Sequence, residues 1–203
     1  MNRFFNLDNP VWRFMGRIAD LFVLSALFYI CLLPVIFAGS ALSALYYVTL
    51  KMTRNLEGRI ISQFFSSFKD NLKQTVLPWT VGLLTVFILF IDIRMALLRP
   101  STISLCLAIC FSVIGFVLIV FLSMLFPLIA RCNDPIKTQL KNCLGICIQN
   151  PLASVSVTLI MVSIFLLGIF VFWPILIIAP GLGAYINSYV INNIFRKYSM
   201  ELR

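Results

Sequence analysis

The sequence contains no histidine, and only 11% of its 203 residues are charged, against about 25% in soluble domains. Apolar residues make up 61% of the chain instead, and the mean hydropathy is +1.02. This composition excludes a soluble enzyme, a disordered chain and a disulfide scaffold. Six crossings of about 20 residues each would leave too little chain for a separate extramembrane core. We therefore expect a single all-α transmembrane domain, a polytopic helix bundle, over residues 1–203.

Groups that perform catalysis are also scarce. The seven carboxylates are scattered singly, which offers no acid–base pair, and no phosphate-cradling GxxxxGK[ST] loop is present. Without histidine or a CxxC pair, the six cysteines do not suggest a zinc site, and we interpret Cys106, Cys110, Cys143 and Cys147 as small apolar fillers. We expect no enzymatic activity, no catalytic residue, no metal and no cofactor.

Basic residues outnumber acidic ones by 16 to 7, which gives a net charge of +9. In a soluble chain this excess would suggest nucleic acid, but here the basic residues lie at the ends of apolar runs, so membrane lipid is the expected partner and nucleic acid is not. If both termini are cytoplasmic, 14 of the 16 basic residues lie inside and only Arg94 and Arg99 lie outside. The charge distribution therefore predicts a multi-pass plasma-membrane protein with both termini in the cytoplasm.

The apolar runs predict six spans. Proline at Trp173-Pro174 divides the last long run. Residues 38–52 are either a short crossing or a re-entrant helix, and the sequence leaves both open. The predicted spans cover residues 17–34, 38–52, 75–93, 101–130, 151–172 and 175–195.

Two amphipathic helices are predicted on the cytoplasmic surface, over residues 59–74 and 135–149. In the first, apolar residues recur at three-to-four spacing, including Phe64, Phe65 and Phe68. Each helix leads into a span that starts at a proline, Pro78 or Pro151, and this recurrence also fits an internal repeat. Both helices either lie in the headgroups or dock a partner, and the candidate docking residues, all on the first helix, are Ser66, Lys69, Asp70 and Lys73.

Polar residues also mark the last span, where Tyr185, Ser188 or Tyr189, Asn192 and Arg196 fall along one helix face. This face, with Tyr185, Ser188 and Asn192 as candidate residues, either hydrogen-bonds to neighbouring helices or lines a substrate path.

A segment of small residues follows Pro34, and another follows Pro180. The two segments either permit close helix packing or form broken helices that face each other at a midplane site. Among the charged residues, Asp20 is expected to pair with Arg17 at the inner headgroup level, the alternative being a proton relay. Asp92 with Arg94 would lie at the outer end of its span, where a gate is the alternative to an ordinary surface pair.

The N-terminal half carries motifs that resemble a known family. The resemblance is densest over residues 4–79, covers essentially the whole chain, and includes Asp8-Asn9-Pro10, Asp20-Leu21, Pro34, Gly39, Ala44-Leu45-Tyr46-Tyr47, Lys51-Met52, Phe68-Lys69 and Trp79. On these residues the sequence is similar to the YesL-like integral membrane proteins, a domain-of-unknown-function family. Ser25, Phe37 and Ser43 depart from the pattern, since asparagine is common at the first position and threonine at the other two.

The resemblance implies a role in transport rather than a reaction. Such proteins occur mainly in Gram-positive bacteria and are often encoded beside carbohydrate ABC importers, so it implies an accessory or regulatory partner of importer permease subunits. The alternative is a small stand-alone secondary transporter or channel for a sugar or other small solute, with a homo-oligomer as one form it could take. A membrane enzyme is the third and weakest hypothesis, because no acid–base pair supports it.

Overall fold

The computed structural model describes residues 10–56, 58–98, 101–132 and 134–198, with side chains from residue 15 onwards. These residues form helices and connecting turns without a strand, so the predicted all-α bundle is confirmed. Its helices are α1 (Pro10–Leu32), α2 (Ala38–Met52), α3 (Ile60–Leu98), α4 (Thr102–Arg131), α5 (Ile136–Gln149), α6 (Pro151–Phe170) and α7 (Ile175–Lys197), with a 3₁₀ turn at Val35–Phe37 before α2.

Six stretches in the described part of the chain are long and apolar enough to cross a membrane. They are Met15–Leu32, Val35–Met52, Ile60–Leu98, Thr102–Arg131, Pro151–Phe170 and Ile175–Lys197, in agreement with the predicted number. The α5 helix is shorter and lies outside this set, as expected for residues 135–149.

The short α2 helix forms the centre of the bundle. It packs against α1, α3, α4 and α7, and almost all of its side chains are buried. Small residues make this possible, because a Cβ atom on Gly39 would lie 2.7 Å from the Cβ of Trp79. The loop after α2 returns to the N-terminal part of α1, where Arg17 donates a hydrogen bond to Asn55. The first two helices are therefore a hairpin.

The α3 helix requires a correction of the predicted boundaries. Residues 59–74 and 75–93 were expected to be a surface helix and a separate span, but one helix continues through Pro78. Contacts on both sides of the proline fix this arrangement, since Thr75 pairs with Ser40 of α2 and Trp79 donates to the carbonyl of Val35. Because both residues are attached to the same hairpin, these contacts hold the helix together across the proline.

The α7 helix also differs from one of the expectations, because Pro180 lies inside a continuous helix rather than at a break. Proline cannot donate to the carbonyl of Leu176, four residues earlier. The hydroxyl of Tyr29 in α1 donates to that carbonyl instead, at 2.5 Å. The segment after Pro180 packs on α1 through Gly181, and the segment after Pro34 packs on α3 through Gly39 and Ser40, which is the close helix packing that small residues permit.

Candidate functional site

The four candidate docking residues lie on one exposed face of α3. Ser66, Lys69, Asp70 and Lys73 follow the spacing of neighbouring positions on a helix surface, and all four are exposed. We call this surface the α3 polar face. At 39 residues, α3 is about 58 Å long, well beyond the ~30 Å hydrocarbon core of a bilayer. The polar face lies within the first 14 residues of this helix, and the helix is long enough for this part to lie outside the hydrocarbon while the rest spans it.

The opposite side of the same helix segment packs on α2. Phe64 is fully buried there, and three polar residues follow it on the same side, namely Ser67, Asn71 and Thr75. Asn71 donates to Ser43 of α2 at 3.2 Å and to Ser67 at 3.1 Å. These hydrogen bonds hold the helix so that its polar face points outward.

The polar residues of α7 each bind a different helix or loop. Tyr185 accepts a hydrogen bond from Arg17 of α1 at 3.0 Å, and Ser188 donates to Thr49 of α2 at 2.9 Å. Sequence reasoning did not single out Asn187, which is fully buried and donates to Val157 of α6. The structure thus places the candidate polar face of α7 at helix contacts, the arrangement expected of hydrogen bonding within a bundle.

Asn192 occupies the centre of a basic junction. Its Oδ1 accepts from Arg54 Nε and from Arg131 Nη1, each at 3.1 Å, while its Nδ2 donates to Thr53 at 2.6 Å. Two guanidinium groups therefore lie within about 6 Å of each other around one neutral oxygen. The junction joins the loop after α2 and the ends of α4 and α7.

The burial of Arg131 was not predicted. Its side chain is only 2% exposed, and its guanidinium carbon lies 4.7 Å from the centre of the Phe195 ring. In the sequence it belongs to the same basic stretch as Lys137 and Lys141, which are exposed on α5. Its partner Asn192 is 61 residues away, so no local signal could have distinguished it.

The expected ion pair between Arg17 and Asp20 is not formed. Arg17 instead donates to Tyr185 at 3.0 Å and to Asn55 at 2.8 Å, both neutral groups. Arg17 and Asp20 have the i and i+3 spacing that allows an ion pair on a helix. Tyr185 and Asn55, which are distant in sequence, bind the guanidinium instead. Tyr185 continues this chain to Tyr189, whose hydroxyl lies 2.8 Å from its own.

The cysteines form no metal site among the described residues, where no group of three or more metal-ligating side chains occurs. Cys143 is buried on α5, and Cys147 lies one turn further along, beside Ser154 at the start of α6. Hydrogen bonds from Cys143 and Ser154 lower the pKa of Cys147 to about 7, although burial opposes this. The hydrogen bond to Cys147 and burial raise the pKa of Cys143, so that thiol stays protonated. Cys106 and Cys110 are exposed on the apolar surface of α4.

Two clefts between helices of the described residues are almost entirely apolar. One of about 320 Å³ lies between α2, α3 and α4 and includes Leu42, Trp79 and Phe126. Another of about 490 Å³ lies between α4, α5 and α6 and includes Val117, Leu144 and Pro151. The Asn192 junction lines neither cleft. These clefts are suited to hydrocarbon rather than to a sugar.

A bundle of long apolar helices tied together by buried hydrogen bonds defines a polytopic helical protein of the membrane type. Residues 21–93 match the model of a family described as "Protein of unknown function, DUF624". No curated protein and no solved structure matches this chain. The matched segment runs from α1 through α2 into α3 and contains the α3 polar face and Arg54, whereas α4 to α7 lie outside it.

Proposed function

We propose that this protein is a non-enzymatic accessory or regulatory subunit that binds a carbohydrate ABC importer in the bacterial plasma membrane. The observation that carries the proposal is the α3 polar face, an exposed strip of Ser66, Lys69, Asp70 and Lys73 on a helix longer than the bilayer core. The resemblance to YesL-like proteins supplies the identity of the partner.

The arrangement of α3 supports a docking role over simple headgroup contact. A helix that lies flat in the headgroups buries its apolar side in lipid. Here Phe64 is fully buried and Asn71 donates to Ser43 of α2, so contacts within the bundle already hold the segment in place. The outward side carries charges of both signs, which favours a partner with a complementary charged surface.

Copurification tests the proposal directly. A tagged copy is purified in mild detergent from cells that also produce the importer, and the importer subunits are identified by mass spectrometry. Ser66→Trp and Lys73→Glu should abolish recovery of the importer while expression and the thermal midpoint stay unchanged. Thr138→Trp is the matched control, because Thr138 is exposed on α5 and lies outside the polar face.

Oligosaccharide uptake gives a second measurement. Deletion of the gene should reduce uptake, and the Ser66→Trp variant should not restore it, whereas Thr138→Trp should. Unchanged uptake together with no copurifying importer subunit would refute the accessory role.

The alternative function is a stand-alone secondary transporter or channel. Polar residues inside the bundle are the feature that favours it. These side chains nevertheless form hydrogen bonds within the bundle, with α1 for Tyr185, with α2 for Ser188 and with the loop after α2 for Asn192. This favours a packing role over substrate contact. Sugar uptake by liposomes that contain only the purified protein would establish the alternative.

A further inference from the structure

A groove between α1 and α7 combines an apolar wall with a cationic end. Its wall includes Ile18 and Leu21 of α1 and Ile178 and Leu182 of α7, and it encloses about 450 Å³. Arg17 and Tyr185 lie at one end of the groove. This arrangement is separate from the α3 polar face and from the Asn192 junction.

The dimensions of the groove correspond to one leaflet of a bilayer. Along α7 it extends from Ile175 to Tyr185, which is about 15 Å at 1.5 Å per residue. The hydrocarbon core of a bilayer is ~30 Å thick, so this length is about half of it. Both helices are candidate spans, and Arg17 lies two residues from the start of the span at Met15–Leu32. The cation is thus at headgroup depth and the apolar wall at acyl-chain depth.

Arg17 retains capacity for an anion. A guanidinium has five N–H donors, and the described residues accept from two of them, through Tyr185 and Asn55. Both acceptors are neutral, so the charge of Arg17 is not balanced by an ion pair within the described residues. Phosphate suits such a group, because a guanidinium can bind two of its oxygens at once.

The two tyrosines extend the donor set. Because Tyr185 accepts from Arg17, its own proton can bond to Tyr189, whose hydroxyl lies at 2.8 Å. Tyr189 is 48% exposed and lies next to Tyr185 of the groove, so its proton can bond to a group that occupies the groove mouth. Arg17 and Tyr189 together would present donors to a phosphate at the mouth of the groove.

We propose that this groove binds an anionic phospholipid, with an acyl chain along α1 and α7 and its phosphate on Arg17 and Tyr189. Charge complementarity and leaflet length together select this occupant. A zwitterionic lipid has the same chains, but its headgroup also carries a cation, which the guanidinium of Arg17 repels.

The test measures lipid binding to the purified full-length protein in detergent. Phosphatidylglycerol and phosphatidylcholine of the same chain length are titrated, and the thermal midpoint is followed. We expect a saturable rise with phosphatidylglycerol and a much weaker response to phosphatidylcholine. Glycerol 3-phosphate and inorganic phosphate, which carry the headgroup charge without chains, should produce no rise at matched concentrations.

Variants separate the two ends of the groove. Arg17→Gln should weaken the apparent affinity for phosphatidylglycerol roughly tenfold or more, as expected for the loss of a charge-assisted contact. Ile178→Trp should weaken it by filling the groove while leaving the charge, and Tyr189→Phe by removing one exposed donor. Lys137→Gln is the matched control, since it removes one exposed positive charge from α5 and should leave the affinity unchanged.

Three results would overturn the proposal. These are equal responses to the two lipids, an equal response to a chainless phosphate, or an Arg17→Gln affinity equal to that of Lys137→Gln. If Arg17→Gln does not fold, Ile178→Trp and Tyr189→Phe decide the outcome in the same way. No importer is present in this assay, so its failure and the failure of the accessory role are distinguishable.

Discussion

Gly181 lies where α7 comes closest to α1. A Cβ atom there would be 2.6 Å from the hydroxyl of Ser25 and 2.7 Å from the backbone oxygen of Leu21. The backbone nitrogen of Gly181 also donates to that hydroxyl at 3.0 Å. One of the two close atoms is main chain and cannot rotate away, so the missing side chain is a condition of the contact.

Gly181→Ala should therefore destabilise the protein by about 1–3 kcal/mol, the usual cost of overpacking. Gly145→Ala is its control, because nothing lies within 4 Å of a Cβ added at Gly145. That change should be neutral or stabilising by up to ~1 kcal/mol, since alanine favours a helix. Thermal denaturation in detergent measures both, and equal midpoints would show that α1 and α7 are not closely packed here.

Asn192 provides a second prediction at this scale. Replacing it with leucine removes the acceptor of both Arg54 and Arg131 and leaves two guanidinium groups facing an apolar side chain. We expect a loss of about 3 kcal/mol or more, because hydrogen bonds to charged groups are costly to lose. The neighbouring Asn193 is exposed, so Asn193→Leu should change the unfolding midpoint little. A similar midpoint for both variants would exclude the junction as a source of stability.

At the scale of helices, the sequence predicted much of the architecture. Long apolar runs identified the six candidate spans, and α5 lies close to its predicted position. What it missed are contacts between distant residues. The polar residues Ser67, Asn71 and Thr75 were not expected to be buried, because only Ser40 and Ser43, about 30 residues away, make burial favourable.

The same limit applies to the phenylalanines of α3. Periodicity grouped Phe64, Phe65 and Phe68 on one apolar face, but Phe64 is fully buried whereas Phe65 is 40% exposed. The buried side of α3 includes polar residues, which the hydrophobic pattern does not count. That pattern therefore places the middle of the buried side too close to Phe65. The exposed α3 polar face was easier to predict, since charged residues at helix spacing indicate it without any knowledge of the partner helix.

The two phenylalanines therefore differ in their predicted effects. Phe64→Ala should cost about 3–5 kcal/mol, as expected for truncation of a fully buried aromatic residue. Phe65→Ala should cost clearly less, because its ring already contacts the surroundings and lies edge-on to Phe64 at 5.8 Å. Chemical or thermal unfolding in detergent compares them. A larger effect at Phe65 would support the earlier interpretation, in which the segment buries that residue in lipid.

At the scale of the whole molecule, the structure adds a constraint to the charge argument. The loop after α2, the end of α4 and the last turns of α7 meet at Asn192. These chain segments must therefore lie on the same side of a membrane, whichever side that is. The positive-inside rule then predicts that this side is the cytoplasmic one, because Arg54 and Arg131 lie there.

The resulting topology can be measured with single cysteines in a cysteine-free background. Leu56 and Lys197 lie at the basic side of the structure, and Asp134 follows α4 there, next to Asn133, which is outside the described residues. Leu98 is the last residue of α3 and Trp173 lies in the α6–α7 connection, both on the other side of the structure, and both are largely exposed. An impermeant maleimide should label Leu98→Cys and Trp173→Cys in intact cells, and cysteines at positions 56, 134 and 197 only after permeabilisation.

Labelling of Asp134→Cys and Leu98→Cys from the same side would contradict a crossing by α4, because that helix of 30 residues, about 45 Å long, lies between them. Because α3 separates Leu98 from Arg54, the same result would also put Asp134 and the nearby Arg131 on the side opposite Arg54. Both guanidinium groups bond to Asn192, so they must lie on the same side.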